Sequence, residues 1–185
     1  MKNLASLLLV LTGLSGAAAQ AQTKFQTQAA TISFFSSTPI EDIAAKSLRA
    51  SALVDAGTGR LAFSVPIRSF TFRNGLMQEH FNENYLDSDK YPKATFAGTL
   101  LNWSAATLAA PGPHPVQVEG NLTIHGVTRR VRVPGTLEQQ GNRLLLNARF
   151  SVQPADYRID IPALVRDHIA KTVEVNVAAG CVAAP

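Results

Sequence analysis

Histidine and acidic side chains are the first places to look for chemistry, and in this chain they are few and scattered. His80 and Glu83 stand three residues apart in a stretch that also holds Asn82 and Asn84. On a helix that spacing puts both on one face, yet it supplies at most two ligating groups where a metal centre needs three or four. His114, His125 and His168 show no ligand spacing with them. No metal site and no cofactor are expected. Nucleophile motifs fare no better: there is no Gly-x-Ser-x-Gly, no phosphate-binding glycine loop, no paired cysteine and no His-x-x-x-His helix. No catalytic residues and no enzyme activity are expected.

Two polar residues stand out for a binding role. Arg129 falls on the apolar face of its strand one residue pair beyond a turn, where its guanidinium could meet an anionic head group or pair with Asp156. His125 sits at that turn beside Gly126, placed either to bond turn backbone or to touch a ligand head.

The elements that must position these groups read as strands. Leu61, Phe63, Val65 and Ile67 alternate with smaller or polar residues, as do Val116 to Ile124, Val127 to Val133 and Leu144 to Val152. Further strands are expected at Thr31–Phe35, Lys46–Asp55, Lys93–Trp103 and Thr172–Ala178, with the strand after Arg60 running on to Phe72. Residues 22–28 are polar and read as loose. Thr38 and Pro39 suggest the start of a short helical turn through Ala45, and Pro162 to Ala170 a short amphipathic helix. Ser104 to Pro115 reads as a variable loop.

Between Ser69 and Gly98 the pattern changes. Leu76, Met77, His80, Phe81 and Tyr85 take three-to-four spacing, so a helical excursion lays an apolar stripe on something, as a lid over one end or by plain packing. Eight alternating strands with mostly short connections argue an all-β fold, an eight-stranded antiparallel β-barrel with short helical insertions. At that size a barrel is either filled by its own side chains or holds one small apolar ligand. The inward set on the strands is Phe63, Val65, Ile67, Phe70, Phe72 and Phe96, continued by Val118, Leu122, Ile124 and Phe150; Met77 and Phe81 join it from the excursion. Alternation alone reads the same for a ligand lining and for a packed core.

The first residues, MKNLASLLLVLTGLSGAAAQAQ, combine a lysine, an apolar run from Leu4 to Leu14 and a small-residue tail. They read as a secretory signal peptide cleaved after Ala21, leaving one domain over residues 22–185 that is periplasmic or secreted. No later segment is apolar enough to span a membrane. Without Lys2 there are 16 basic against 13 acidic side chains, a net +3 that does not point to nucleic acid. The single cysteine, Cys181, lies four residues from the C-terminus and excludes an intramolecular disulfide; it reads as a thiol on a frayed tail, incidental or available to a second chain. Oligomeric state stays open, a dimer included.

Three blocks carry a resemblance. FNENYLDSDKYPKATF from Phe81 to Phe96, GNLTIHGVT from Gly120 to Thr128 and DYRIDIP from Asp156 to Pro162 resemble the YceI-like family, exported bacterial barrels with a lipocalin-like fold. The resemblance runs from about Thr31 to Val177 and implies an extended eight-stranded barrel whose elongated apolar cavity binds a polyisoprenoid or similar amphiphilic lipid. A carrier of such a lipid is the leading reading. The alternative is a structural or interaction module of the envelope, with a packed core and a protein partner on the 69–98 excursion.

Overall fold

The computed structural model describes residues 23–184; the expected signal peptide lies outside them. Nine strands follow in order: β1 (Lys24–Ser37), β2 (Asp42–Asp55), β3 (Arg60–Pro66), β4 (Thr71–Phe72), β5 (Lys93–Leu100), β6 (His114–Ile124), β7 (Val127–Gln140), β8 (Arg143–Val152) and β9 (Val173–Ala183). Every pairing is antiparallel, and the order β1-β9-β8-β7-β6-β5-β3-β2 returns to β1, so eight strands close into a barrel. Closure pairs the strand edges that an open sheet would expose.

The strand left over, β4, is the resumed end of the expected third strand. The expected strand from Arg60 to Phe72 breaks at Pro66, takes one 3-10 turn over Ile67–Ser69 and resumes as β4 against Ala45 and Lys46 of β2. Proline cannot donate to a ladder, which favours the break there. Side chains bridge the gap: Ser47 Oγ lies 2.7 Å from Ser69 Oγ, which donates to Pro66 O, and Thr71 Oγ1 donates to Lys46 O.

Several local expectations are corrected. Thr38 does not begin a helix: its hydroxyl accepts from the Ile40 and Glu41 amides and closes the tight connection between β1 and β2. β1 starts at Lys24 rather than Thr31, because Phe25 is buried at 2% exposure and draws the polar segment around it into the sheet. β5 stops at Leu100, short of Trp103, whose Nε1 donates to Ala56 O at 2.7 Å. The loop after it carries a 3-10 stretch, Ala105–Ala109, and β6 begins at His114. β7 runs past Val133 to Gln140. The segment after Pro162 is a 3-10 turn, Ala163–His168, not an α-helix. Cys181 is no tail thiol: β9 extends to Ala183, and Cys181 is fully buried in it opposite Leu144.

The interior has two unlike halves. Phe25, Val54, Leu137, Leu144 and Cys181, each at most 2% exposed, pack the end where β1 begins and β9 finishes. Trp103, sitting over Gly59, closes that lower end. At the opposite, upper end stand the β1–β2 turn, the excursion, the His125–Gly126 turn and the long connection from β8 to β9.

Candidate functional site

The upper half encloses an apolar cavity of about 390 Å³. Its floor is the buried set Leu61, Val118, Val133 and Leu146, lying directly above the packed half. Phe63, Val65, Ile67, Phe70 and Phe72 supply one wall, and Phe96, Leu122, Ile124 and Phe150 another. With Val118, Met77 and Phe81, all twelve residues read as an inward set stand at this cavity.

Phe96 needs room that two glycines provide. Gly98 of β5 pairs with Gly120 of β6, and a Cβ on either would lie 2.8 Å from Phe96 Cζ. At Gly120 it would also meet Ala97 O at 2.4 Å. The close approach at Gly98 is thus an aromatic ring laid over a glycine pair.

The excursion closes the upper end as a short helix, α1 (Gly75–His80), followed by a wider π-type turn over Phe81–Tyr85. Asn74 caps α1 by accepting from the Leu76 amide at 2.9 Å. Met77, Phe81 and Tyr85 recur every four residues and line the cavity together. Phe81 enters a cage of Phe34, Phe70 and Phe72, with ring centroids 5.1 to 5.7 Å away. The interaction module called for an exposed aromatic surface here. Phe81 and Tyr85 are instead half-buried at the cavity, and Leu76 is the excursion's exposed apolar residue. Of the polar cluster, Asn82 donates to Gln78 O, whereas Glu83 and Asn84 are exposed. No group of three or more metal-ligating side chains occurs among the described residues.

Arg129 and His125 are placed outside the cavity wall. Arg129 does share the inward face, paired across the ladder with Leu122, but it lies high on the barrel and is half-exposed. It pairs with Asp156 at 3.1 Å and donates through Nε to Asp156 O at 2.9 Å. His125 Nδ1 lies 3.2 Å from Tyr157 O, and its ring meets Tyr91 edge-on with centroids 4.7 Å apart. Both hold down the segment after β8, a 3-10 turn over Pro154–Tyr157. That segment has a gap to cover. The β7–β8 ladder ends at Gly135↔Ala148, so Val127–Pro134 and Arg149–Val152 face each other unpaired.

Several wall residues escaped the sequence reading. Tyr157, Ile159 and Ile161 alternate into the cavity from a stretch that its prolines made look irregular, and Ile32 and Phe34 do so from β1. Glu41 and His168 stand at the rim, His168 Nδ1 3.1 Å from Glu41 Oε2. Ser36 Oγ, just inside, accepts from the Ala170 amide at 2.9 Å. Among the described residues no Lys or Arg belongs to the wall. Such a lining accepts an apolar chain and offers almost nothing to a charged one.

Comparison with known proteins places the barrel among solved folds. Among solved structures, a polyisoprenoid binding domain from Saccharophagus degradans, implicated in plant cell wall breakdown, superposes with a TM-score of 0.74 at 16% identity, over 88% of this chain and 99% of that one. BcnA from Burkholderia cenocepacia gives 0.69 at 20% identity, over 84% and 96%. A Campylobacter jejuni YCEI protein gives 0.55 at 16% identity, over 74% and 83%. Likenesses at these identities concern the fold. A comparison with curated proteins returned no match. The model of the YceI-like domain matches residues 14–180; with that span and this barrel, the chain belongs to the YceI-like family.

Proposed function

We propose that this chain is an exported, non-catalytic binding protein that holds an isoprenoid-like or other amphiphilic lipid in the upper half of its barrel. The observation that carries the reading is the apolar cavity, whose 390 Å³ falls within the range of roughly 300–1,000 Å³ typical of small-molecule sites. Branched and aromatic side chains line it, and burying an apolar chain against them releases about 25 cal/mol per Å² removed from water. The Saccharophagus degradans domain of the same fold, named for polyisoprenoid binding, supports this ligand class. Export rests on the apolar leader with its small-residue tail. A role without catalysis is supported by a wall whose one carboxylate among the described residues, Glu41, is engaged by His168 at the rim.

Extraction of the protein from its native envelope, followed by mass spectrometry of the extract, tests the reading. A stoichiometric isoprenoid-like lipid is expected. Repeated recovery without lipid, together with no binding of a prenyl lipid by the purified protein, overturns it.

A further inference from the structure

Two side chains with polar atoms are fully buried in this cavity wall among the described residues, Ser36 and Tyr157, and they differ in what answers them. Ser36 receives the Ala170 amide, and at the rim Glu41 and His168 engage each other. Tyr157 is 3% exposed and stands in the wall, yet its hydroxyl has no hydrogen-bond partner among the described residues. Nor is that hydroxyl sealed in protein: the one side-chain oxygen or nitrogen among the described residues that is both closed off and unpartnered is Asn82 Oδ1. Buried tyrosine hydroxyls ordinarily find a partner, because leaving the group unsatisfied forfeits its hydration. Because the residue lines the cavity, a molecule held there is the candidate partner for this hydroxyl.

The ring is also held in place. Arg129 grips Asp156 by carboxylate and carbonyl, and His125 meets the carbonyl of Tyr157 itself. The next residue, Arg158, takes a left-handed backbone with φ 54°, which sends the chain onward with little freedom to swing the tyrosine away. Burial and the neighbouring Asp156 carboxylate raise the Tyr157 hydroxyl above its usual range, so it stays a donor at neutral pH. The cation that acts on it, Arg129, opposes that rise but is engaged by Asp156 and stands outside the cavity wall, so the donor suits a neutral acceptor better than an anionic head.

We propose that the Tyr157 hydroxyl donates a hydrogen bond to an uncharged acceptor oxygen, a carbonyl or hydroxyl, on the bound amphiphile. This rests on the reading of the chain as a lipid binder and narrows it: oxygenated neutral lipids are favoured over hydrocarbons of the same chain.

The test uses Tyr157→Phe, which keeps the ring and removes only the hydroxyl. Two probes of roughly twenty carbons, a drug-sized length for such a cavity, are an isoprenoid methyl ketone and the hydrocarbon of matching branching, each competed against a fluorescent polyene. The wild type is expected to favour the ketone about fivefold, as one neutral hydrogen bond allows. Tyr157→Phe is expected to bring the ratio near unity while hydrocarbon affinity is kept. An unchanged ratio overturns the proposal, and so does an equal loss for both probes, which marks a structural role. If neither probe binds the wild type, the lipid-binding reading fails and takes this one with it. A measurement on the wild type alone guards against a variant that does not fold: the carbonyl stretch of the bound ketone should lie below its value in hydrocarbon solvent, and an unshifted band overturns the proposal.

Discussion

The ring of Phe81 stacks on that of Phe34, with centroids 5.4 Å apart and 27° between their planes. One residue belongs to the excursion and the other to β1, so this contact fastens the upper closure to the barrel. Phe81→Ala should cost about 2–4 kcal/mol, the transfer of a partly buried ring plus the space it leaves. Urea unfolding measures the loss as a fall in midpoint at constant slope. Phe81→Leu should recover much of it; an alanine variant as stable as wild type would show that the excursion is fastened elsewhere.

Cys181 gives an alkaline signature. Burial pushes its thiol up to about 11 from 9.0, so the folded state keeps its proton while the unfolded chain loses it. The stability it contributes is therefore complete below the ordinary thiol value and is lost as pH rises through that interval. The full loss is about 2–3 kcal/mol. Cys181→Ala removes that slope, and comparing the two proteins between neutral pH and the alkaline limb isolates it from other titrations. In the native wild type a thiol reagent at neutral pH should react only as fast as the protein opens.

Gly120→Ala should destabilise strongly, by about 2 kcal/mol or more. The new methyl meets backbone, Ala97 O at 2.4 Å, which cannot rotate away. Pairing it with Phe96→Leu relieves the contact with the ring and not the one with the carbonyl. Thermal unfolding of the single and double variants should therefore show partial rescue only.

Glu119 of β6 reaches Arg130 and Arg132 across the ladder at 2.6 and 3.2 Å. Their hydrogen bonds hold its carboxyl below the usual glutamate value. Its contribution is present above that value and is lost as pH falls through the lower, folded one. An NMR titration should find its midpoint depressed at low salt and moving back toward normal as salt screens the exposed arginines.

Amide exchange should expose the seam above Gly135↔Ala148. Amides of Val127–Val133 that point toward β8 lack a ladder partner, and they should exchange faster than their neighbours that point toward β6. Uniform protection along β7 would mean the two edges meet in solution.

Much of the wall was legible because alternation is a direct record of which face a strand buries. Phe63 and Val65, or Leu122 and Ile124, are two apart and face the same way in any closed sheet. Misreadings arose where one local signal serves two structures. Thr38 before Pro39 caps a helix or closes a turn with the same hydroxyl, and only the pull of β2 decides. Cys181 sits among alanines and glycine, whose small side chains leave no contrast between faces, so the strand's last turn inward was invisible. Whether the barrel was hollow or solid was illegible for a different reason. It depends on which side chains share a layer, and layers are set by register between strands far apart in sequence, such as Phe25 of β1 against Ala183 of β9.

A solid base beneath a hollow top separates two demands that usually compete within one core. Substitutions around the cavity can reshape what fits there while the Phe25, Leu137 and Leu144 layer keeps the cylinder standing. Relatives sharing a fifth or less of their residues could thus keep one architecture yet differ in cargo, and an engineer could recarve the upper chamber without first reinforcing the foundation.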